Sequence, residues 1–238
     1  MSEAKEYYNE LAKKYDSYVP MLPQYRRLVN EIVNQIKADQ NSKILDVGVG
    51  TGFSATCIFN KHRSKMFGID ISEEMLKKCR KNIQDLKTEF ILKKENATNL
   101  SFEDNYFDYV VSSFTLHHLE DNKKLLALKE IFRVLKKTGK VILGEVLVDV
   151  EGDLNNPKRL NHILERWSYA SMNALKYVGP FAAAIEIEAM LKVYKKEREL
   201  CISVEKWFEL MKKAGFRDLK KKIIDNKLGW CVLSGVKK

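Results

Sequence analysis

The chain has 238 residues, of which 45% are hydrophobic and 31% charged, a composition ordinary for a folded protein with a sizeable core. This length suits one domain, or one domain with a helical insert. No window approaches the roughly 18 apolar residues of a membrane span, and the polar N-terminus lacks the apolar run of a secretory signal, so we expect a cytoplasmic protein. The four cysteines form no Cys-x-x-Cys pair, which argues against a metal site or a disulfide framework.

The formal net charge of +10 favours an anionic partner such as nucleic acid, acidic lipid or an acidic substrate. The lysines are, however, spread along the chain, and the only triple run is 220–222. We therefore expect most of them on solvated helix faces and turns.

The first predicted element is an amphipathic helix over residues 3–18, with Tyr8, Leu11, Tyr15 and Tyr18 on one stripe. It either packs on the domain or covers a ligand cleft with its tyrosines. Two prolines then interrupt the chain, since proline cannot continue a helix interior. A second helix is predicted over 24–38.

The stretch KILDVGVGTG at 43–52 predicts a buried strand, a tight glycine turn and the start of a helix. Glycine lets the backbone turn sharply and approach a ligand closely, and a helix start after a strand offers free N–H groups. Asp46 stands at the mouth of this turn. A second acid, Asp70, ends the next apolar run at 66–70, where a ribose diol would need an acceptor.

The later elements alternate between strands and helices. Ser72 is expected to cap a helix, and strands are predicted over 89–92 and 106–112. Asp121 is expected to cap a further helix that Gly139 ends. A fifth strand over 141–148, a helical insert over 153–200, a helix from Ser203 to Gly215 and strands over 217–225 and 230–236 complete the chain. Such alternation implies an α/β fold with a parallel sheet.

The glycine turn resembles that of class I methyltransferases that use S-adenosylmethionine, whose motif D-x-G-x-G-x-G is filled by Asp46, Gly48, Gly50 and Gly52. The segments at 96–102, 107–119 and 133–140 are similar to later motifs of that family, in the same order. The resemblance implies a single domain with a Rossmann-like doubly wound sheet, mostly parallel, with an antiparallel C-terminal strand. The alternative is a nicotinamide-dinucleotide domain with a degenerate G-x-G-x-x-G fingerprint, in which Phe53 replaces the third glycine.

The resemblance also implies roles for individual residues. Asp46 would orient the ammonium end of the cofactor, Asp70 would accept from both ribose hydroxyls, and Ser113 would lie near the methyl group. The cofactor-binding set implied in this way is Asp46, Gly48, Gly50, Thr51, Gly52, Asp70, Ile71, Asn96, Ala97 and Ser113. His117 or His118 is a candidate base, or both are ordinary loop histidines. Tyr15 is a candidate for an aromatic wall around the sulfonium, together with Tyr7 and Trp167.

Within the family the chain is most similar to the ubiquinone and menaquinone C-methyltransferases, although His117 and His118 stand where those enzymes have an Arg-Asn pair. We expect methyl transfer to a small-molecule acceptor, with a pocket built from the N-terminal helix and the 153–200 insert. Two alternatives are a tRNA-modifying or cofactor-remodelling relative, which the basic charge favours, and a non-catalytic cofactor- or partner-binding protein.

Overall fold

The computed structural model describes residues 16, 18–86, 90–150, 155–194 and 201–238. Its centre is a seven-stranded sheet in the order β3-β2-β1-β4-β5-β7-β6. The first five strands are parallel, and β7 is antiparallel to both of its neighbours. The predicted fold class is therefore confirmed. The strands are β1 (Lys43–Val47), β2 (Lys65–Asp70), β3 (Phe90–Lys94), β4 (Phe107–Ser113), β5 (Leu135–Val146), β6 (Arg217–Asp225) and β7 (Trp230–Val236).

Helices cover both faces of this sheet, as the doubly wound arrangement requires. Side chains alternate between the two faces along each strand, so Ile44 belongs to one apolar cluster and Leu45 to the other. One face packs against α1 (Pro23–Gln35), α2 (Phe53–His62) and α3 (Glu73–Ile83), and the other against α4 (Asp121–Val134) and α7 (Val204–Ala214). Burial on both faces explains why the parallel strands read as continuous apolar runs.

Several predicted helix ends are confirmed. The Ser72 hydroxyl accepts from the N–H of Met75 at the start of α3, 3.2 Å away, and the Ser203 hydroxyl caps α7 in the same way. Gly215 ends α7 in the left-handed conformation, with φ of 111°.

Around α4 the prediction is wrong at both ends. The helix begins at Asp121 itself, so the capping position falls to Glu120, whose side chain makes no capping bond. The helix ends at Val134, and Gly139 lies inside β5 rather than closing the helix. The chain bulges between the pairings of Leu135 and Lys140 with β4, which lets β5 start six residues before the predicted 141.

The insert after β5 forms two packed helices, α5 (Pro157–Tyr177) and α6 (Pro180–Tyr194). Prolines stand at the start of both, where a missing N–H costs nothing. Gln24 of α1 donates to Asn173 of α5 at 2.8 Å, and Arg166 binds the main-chain carbonyl of Leu147 just beyond β5. The insert thus lies at the carboxyl end of β5. Within the described ranges, no helix is long and apolar enough to cross a bilayer.

Both edges of the sheet carry lysines. Lys93 and Lys94 end the edge strand β3, and the run 220–222 lies exposed on the opposite edge strand, β6. Strand β3 also carries Ile91, whose surface is 42% exposed.

Candidate functional site

The glycine turn between β1 and α2 is held against the end of the neighbouring strand β2. The N–H groups of Gly48 and Val49 both donate to the carbonyl of Ile69, at 2.8 and 2.9 Å. Gly48, Gly50 and Gly52 have φ values of 74°, 54° and 90°, which L side chains rarely adopt. The conformation therefore requires the glycines that the sequence pattern singled out.

Two of these glycines face different surroundings. A Cβ on Gly48 would lie 2.2 Å from Oγ1 of Thr115, in the loop after β4. Among the described residues, a Cβ on Gly50 would meet only the carbonyl oxygen of Gly48, at 4.0 Å. Gly48 thus allows two loops to touch, whereas the described residues leave space beside Gly50 that a ligand could fill.

Asp46 is 1% exposed, and neither of its carboxylate oxygens has a hydrogen-bond partner among the residues that the structure describes. Burial, and secondly the charge of Asp70, raise the pKa of Asp46 to about 7. A buried carboxyl without donors is costly, so this group is stabilised by any ligand that brings positive charge or N–H donors.

Asp70 ends β2 beside the glycine turn. Its Oδ2 accepts from the N–H of Gly50 at 3.0 Å, and its Oδ1 accepts from the N–H of Ser72 at 2.8 Å. Burial raises its pKa, while these main-chain donors oppose the shift. The next residue, Ile71, is 37% exposed and offers an apolar surface at the same edge.

The side chains of the other residues predicted to bind the cofactor do not clearly face a ligand. Asn96 follows β3 at the same edge, but its side-chain carbonyl accepts from both the N–H and the hydroxyl of Thr98, so it shapes a turn. The Ala97 side chain is buried in the core, which leaves its main chain for any ligand contact. Thr51 is also buried, and its hydroxyl has no hydrogen-bond partner in the part of the chain that the structure describes.

The loop after β4 contributes a cluster of aromatic side chains. Ser113 lies 3.4 Å from the hydroxyl of Tyr25. Phe114 has φ of 52°, an unusual conformation for a bulky residue, and its ring contacts Tyr25 and Trp230 at centroid distances of 5.4 and 4.7 Å. Phe53, the first residue of α2, also contacts the Tyr25 ring, with a centroid distance of 5.7 Å.

The two histidines differ in their surroundings. His117 is 8% exposed, and its Nδ1 lies 2.7 Å from Oε2 of the fully buried Glu145. His118 is half-buried and packs against the His117 ring, with centroids 3.9 Å apart. Both lie in a short 3₁₀ turn over Leu116–His118, so they stand before α4 rather than inside it.

Tyr15, Tyr7 and most of the predicted N-terminal helix lie outside the described residues. Of that segment, Asp16 accepts a hydrogen bond from the Asn82 amide at 3.0 Å, and the same amide donates to the carbonyl of Thr51. The start of the chain therefore reaches the glycine turn at residue 16. Trp167 packs in a small cluster with Val148 and Ile163, which makes it a packing residue.

Sequence reasoning missed several side chains of this site, among them Tyr25, Phe114, Glu145 and Trp230. Glu145 carried a usable signal, because a single acid in the apolar run of β5 has to be paired or functional once it is buried. The other three are aromatic residues in apolar surroundings, which sequence alone cannot distinguish from core.

The site matches the chemistry of S-adenosylmethionine, a cation that carries an ammonium, a ribose and an adenine. In the described ranges the Asp46 carboxyl lacks hydrogen-bond partners and Gly50 borders open space, and Asp70 and Ile71 lie side by side at the same edge. No group of three or more His, Cys, Asp or Glu side chains comes together as metal ligands would in the part of the chain described.

Comparison with known proteins gives the same family. A family model described as a methyltransferase domain matches residues 45–143. A ubiquinone/menaquinone biosynthesis C-methyltransferase from Rickettsia massiliae is 31% identical over 221 residues, covering 89% of this chain and 84% of that protein.

Solved structures share the fold at lower identity. A methyltransferase from Thermotoga maritima, described as a possible histamine N-methyltransferase, has a TM-score of 0.63 at 22% identity and covers 98% of this chain and 99% of its own. Phosphoethanolamine N-methyltransferase 2 of Haemonchus contortus, in complex with S-adenosyl-L-methionine, has a TM-score of 0.64 at 16% identity and covers 89% of this chain and 52% of its own. The alignment with the Rickettsia protein extends well beyond the glycine turn and covers most of the chain. This protein therefore belongs to the class I S-adenosylmethionine-dependent methyltransferases, in the branch of the ubiquinone/menaquinone C-methyltransferases.

Proposed function

We propose that this enzyme binds S-adenosylmethionine along the glycine turn and methylates a small molecule held between the loop after β4 and the insert helices. The observation that carries the proposal is the buried Asp46 carboxyl, which has no hydrogen-bond partner in the described parts of the chain and lies beside the turn at Gly50. A cationic ligand with N–H groups supplies the positive charge and the hydrogen-bond donors that this carboxyl lacks.

In this proposal each part of the site takes one portion of the cofactor. Asp46 orients the ammonium, directly or through water, and Asp70 accepts from the ribose hydroxyls. Ile71 lies against the adenine, whose edge meets Asn96 and the main chain of Ala97. The turn itself approaches the amino-acid and sugar portion through Gly48, Gly50, Thr51 and Gly52, and Ser113 lies near the methyl end.

When bound, S-adenosylmethionine supplies a methyl carbon that is already activated for in-line displacement. The protein therefore has to hold the acceptor in line, exclude water and accept any proton that the acceptor loses. His117 and His118 are the candidates for this proton. Tyr15 is proposed to border the acceptor, since the chain reaches the glycine turn at Asp16.

The acceptor pocket is proposed to include the aromatic cluster of Tyr25, Phe53, Phe114 and Trp230, with α5 and α6 covering it. Ala174 and Ala182 of these helices pack in the same apolar cluster as Tyr25. Aromatic side chains favour a flat, partly apolar acceptor. The relatives named for ubiquinone and menaquinone biosynthesis support an acceptor of this kind.

The test combines binding with transfer. Titration calorimetry should show one site for S-adenosylmethionine and for its demethylated product, and Asp46→Asn should weaken binding of both. Ser64→Ala is the matched control, because its buried hydroxyl also lacks a partner among the described residues but lies before β2, at the opposite end of that strand from Asp70. Equal affinities for the wild type and Asp46→Asn would contradict the proposed ammonium site.

Transfer is measured with a labelled methyl group offered with a panel of hydroquinones, phenols and amines, and separately with bulk RNA. Label in a small molecule supports the proposal. Label that appears only in RNA would favour the tRNA-modifying alternative, with the strong salt dependence typical of phosphate contacts. Tight cofactor binding without transfer to either class would favour a binding protein.

A further inference from the structure

Glu145 is a buried acid whose described side-chain hydrogen bonds go to the loop after β4. It lies on β5 with none of its surface exposed. Its Oε1 accepts from the N–H of Leu116 at 3.2 Å, and its Oε2 accepts from the N–H of His117 at 3.3 Å and contacts His117 Nδ1 at 2.7 Å. The carboxylate therefore fixes both the backbone and the ring of His117.

The two main-chain hydrogen bonds to Glu145 determine which atom donates in the 2.7 Å contact between its Oε2 and His117 Nδ1. Main-chain N–H groups can only donate, and they occupy both carboxylate oxygens, so the acceptor-only form of Glu145 suits the site. His117 Nδ1 then carries the hydrogen and donates it. In neutral imidazole the other nitrogen, Nε2, is consequently a hydrogen-bond acceptor.

The Nε2 atom has no partner among the residues described, and the His117 side chain keeps 10% of its surface exposed. Its ring lies 6.1 Å from Phe114, which belongs to the aromatic cluster at the carboxyl end of β4. Nε2 is thus the nitrogen left to meet a ligand at this end of the sheet.

We propose that Glu145 is a positioning residue that holds His117 in the Nδ1–H form, so that Nε2 takes a proton from the methyl acceptor. The inference rests on the proposed function and makes it more specific, because it selects His117 over His118 as the base.

The proton and electron count is simple. The acceptor atom uses an electron pair to form its bond to the methyl carbon, and the bond from that carbon to sulfur breaks with its pair left on sulfur. The acceptor's proton moves to Nε2 before or during this displacement. The imidazolium that results is neutralised by Glu145 at Nδ1 and returns its proton to water after product release.

The first test needs no substitution and no acceptor. In wild-type protein with ¹⁵N-labelled histidine, bound to S-adenosylhomocysteine, the nitrogen chemical shifts of neutral His117 should show hydrogen on Nδ1. A His117 with its hydrogen on Nε2 would overturn the proposal whatever the acceptor is.

The second test is a double-mutant cycle on kcat, with an acceptor from the panel above. Glu145→Gln and His117→Asn are each expected to lower kcat about 100-fold or more, the usual range for a general base. The double variant should be no slower than His117→Asn alone, because Glu145 acts through His117. Independent, multiplicative losses would show that Glu145 merely supports the loop.

Cys231→Ala is the matched control, since Cys231 is buried opposite Glu145 on β7 and should leave kcat unchanged. Cofactor affinity, measured by calorimetry, should stay within about threefold of wild type in every variant. An unchanged kcat in His117→Asn would overturn this inference and leave methyl transfer standing. Failure of the wild type to methylate any acceptor would instead overturn the proposed function.

Discussion

Replacing Gly48 or Gly50 by alanine should separate folding from ligand binding. Both residues have positive φ, so each alanine costs about 1–2 kcal/mol of backbone strain. At Gly50 the only described atom that the added methyl meets is an oxygen at 4.0 Å, so backbone strain is the expected effect on stability. At Gly48 the methyl would lie 2.2 and 2.3 Å from Oγ1 and Cγ2 of Thr115, and such overpacking adds about 1–3 kcal/mol.

Gly50→Ala should therefore stay folded and lose affinity for S-adenosylmethionine. If the ligand fills the space beside Gly50, the methyl overpacks the complex by about 1–3 kcal/mol, which is roughly a 5- to 150-fold weaker Kd. Gly48→Ala should instead lower the free energy of unfolding by about 2–5 kcal/mol in total.

Calorimetry gives the Kd, and urea unfolding followed by circular dichroism gives the stability. Thr115→Ala in the Gly48→Ala background removes the two closest atoms and should recover part of the lost stability. A folded Gly50→Ala protein with wild-type affinity would refute the placement of the ligand at this turn. If Thr115→Ala recovered none of the lost stability, the clash with the Thr115 side chain would not be the cause of the destabilisation by Gly48→Ala.

Three further changes test other parts of the site. Asp70→Ala should weaken cofactor binding at least tenfold, since each hydrogen bond to a charged group contributes about 1.5–3 kcal/mol; a melting curve must accompany it, because Asp70 also holds the N–H of Gly50. The pKa of Asp46 is raised from 3.8 to about 7 in the folded state. The folded protein thus keeps a proton that the unfolded chain loses, and this group's contribution to ligand-free stability falls by about 1.4 kcal/mol per unit as pH rises from about 4 to 7. Urea unfolding across this range should show that slope in the wild type relative to Asp46→Asn; identical slopes would contradict the raised pKa. Ser72→Ala should cost about 1 kcal/mol of stability through loss of the α3 cap, and an unchanged melting temperature would contradict the cap.

The sheet and most of its helices could be predicted because their signals are local. Apolar runs, a capping serine and a terminal glycine each act within a few residues, and Ser72 and Gly215 are found where they were expected. The α4–β5 junction could not be predicted, because Gly139 is equally compatible with a helix end and with a bulged strand. The pairing of β5 with β4 decides between them, and that pairing is not local.

The candidate site likewise contains residues that local sequence signals can predict and residues that they cannot. Asp46, the glycines and Asp70 lie on one strand–turn–helix–strand segment, so a motif can reveal them. The contact between Glu145 and His117 joins positions 28 residues apart, and that between Tyr25 and Ser113 joins positions 88 apart. Such pairs depend on the order of strands in the sheet, which a motif within one segment does not encode.

The lysines at the two edges of the sheet bear on the basic charge of the chain. An edge strand exposes unpaired N–H and C=O groups that can pair with another molecule, and lysine side chains along it discourage that pairing. The run 220–222 on β6 and Lys93 and Lys94 on β3 occupy those edges. Part of the net charge of +10 thus protects an open sheet from edge-to-edge aggregation and requires no anionic partner.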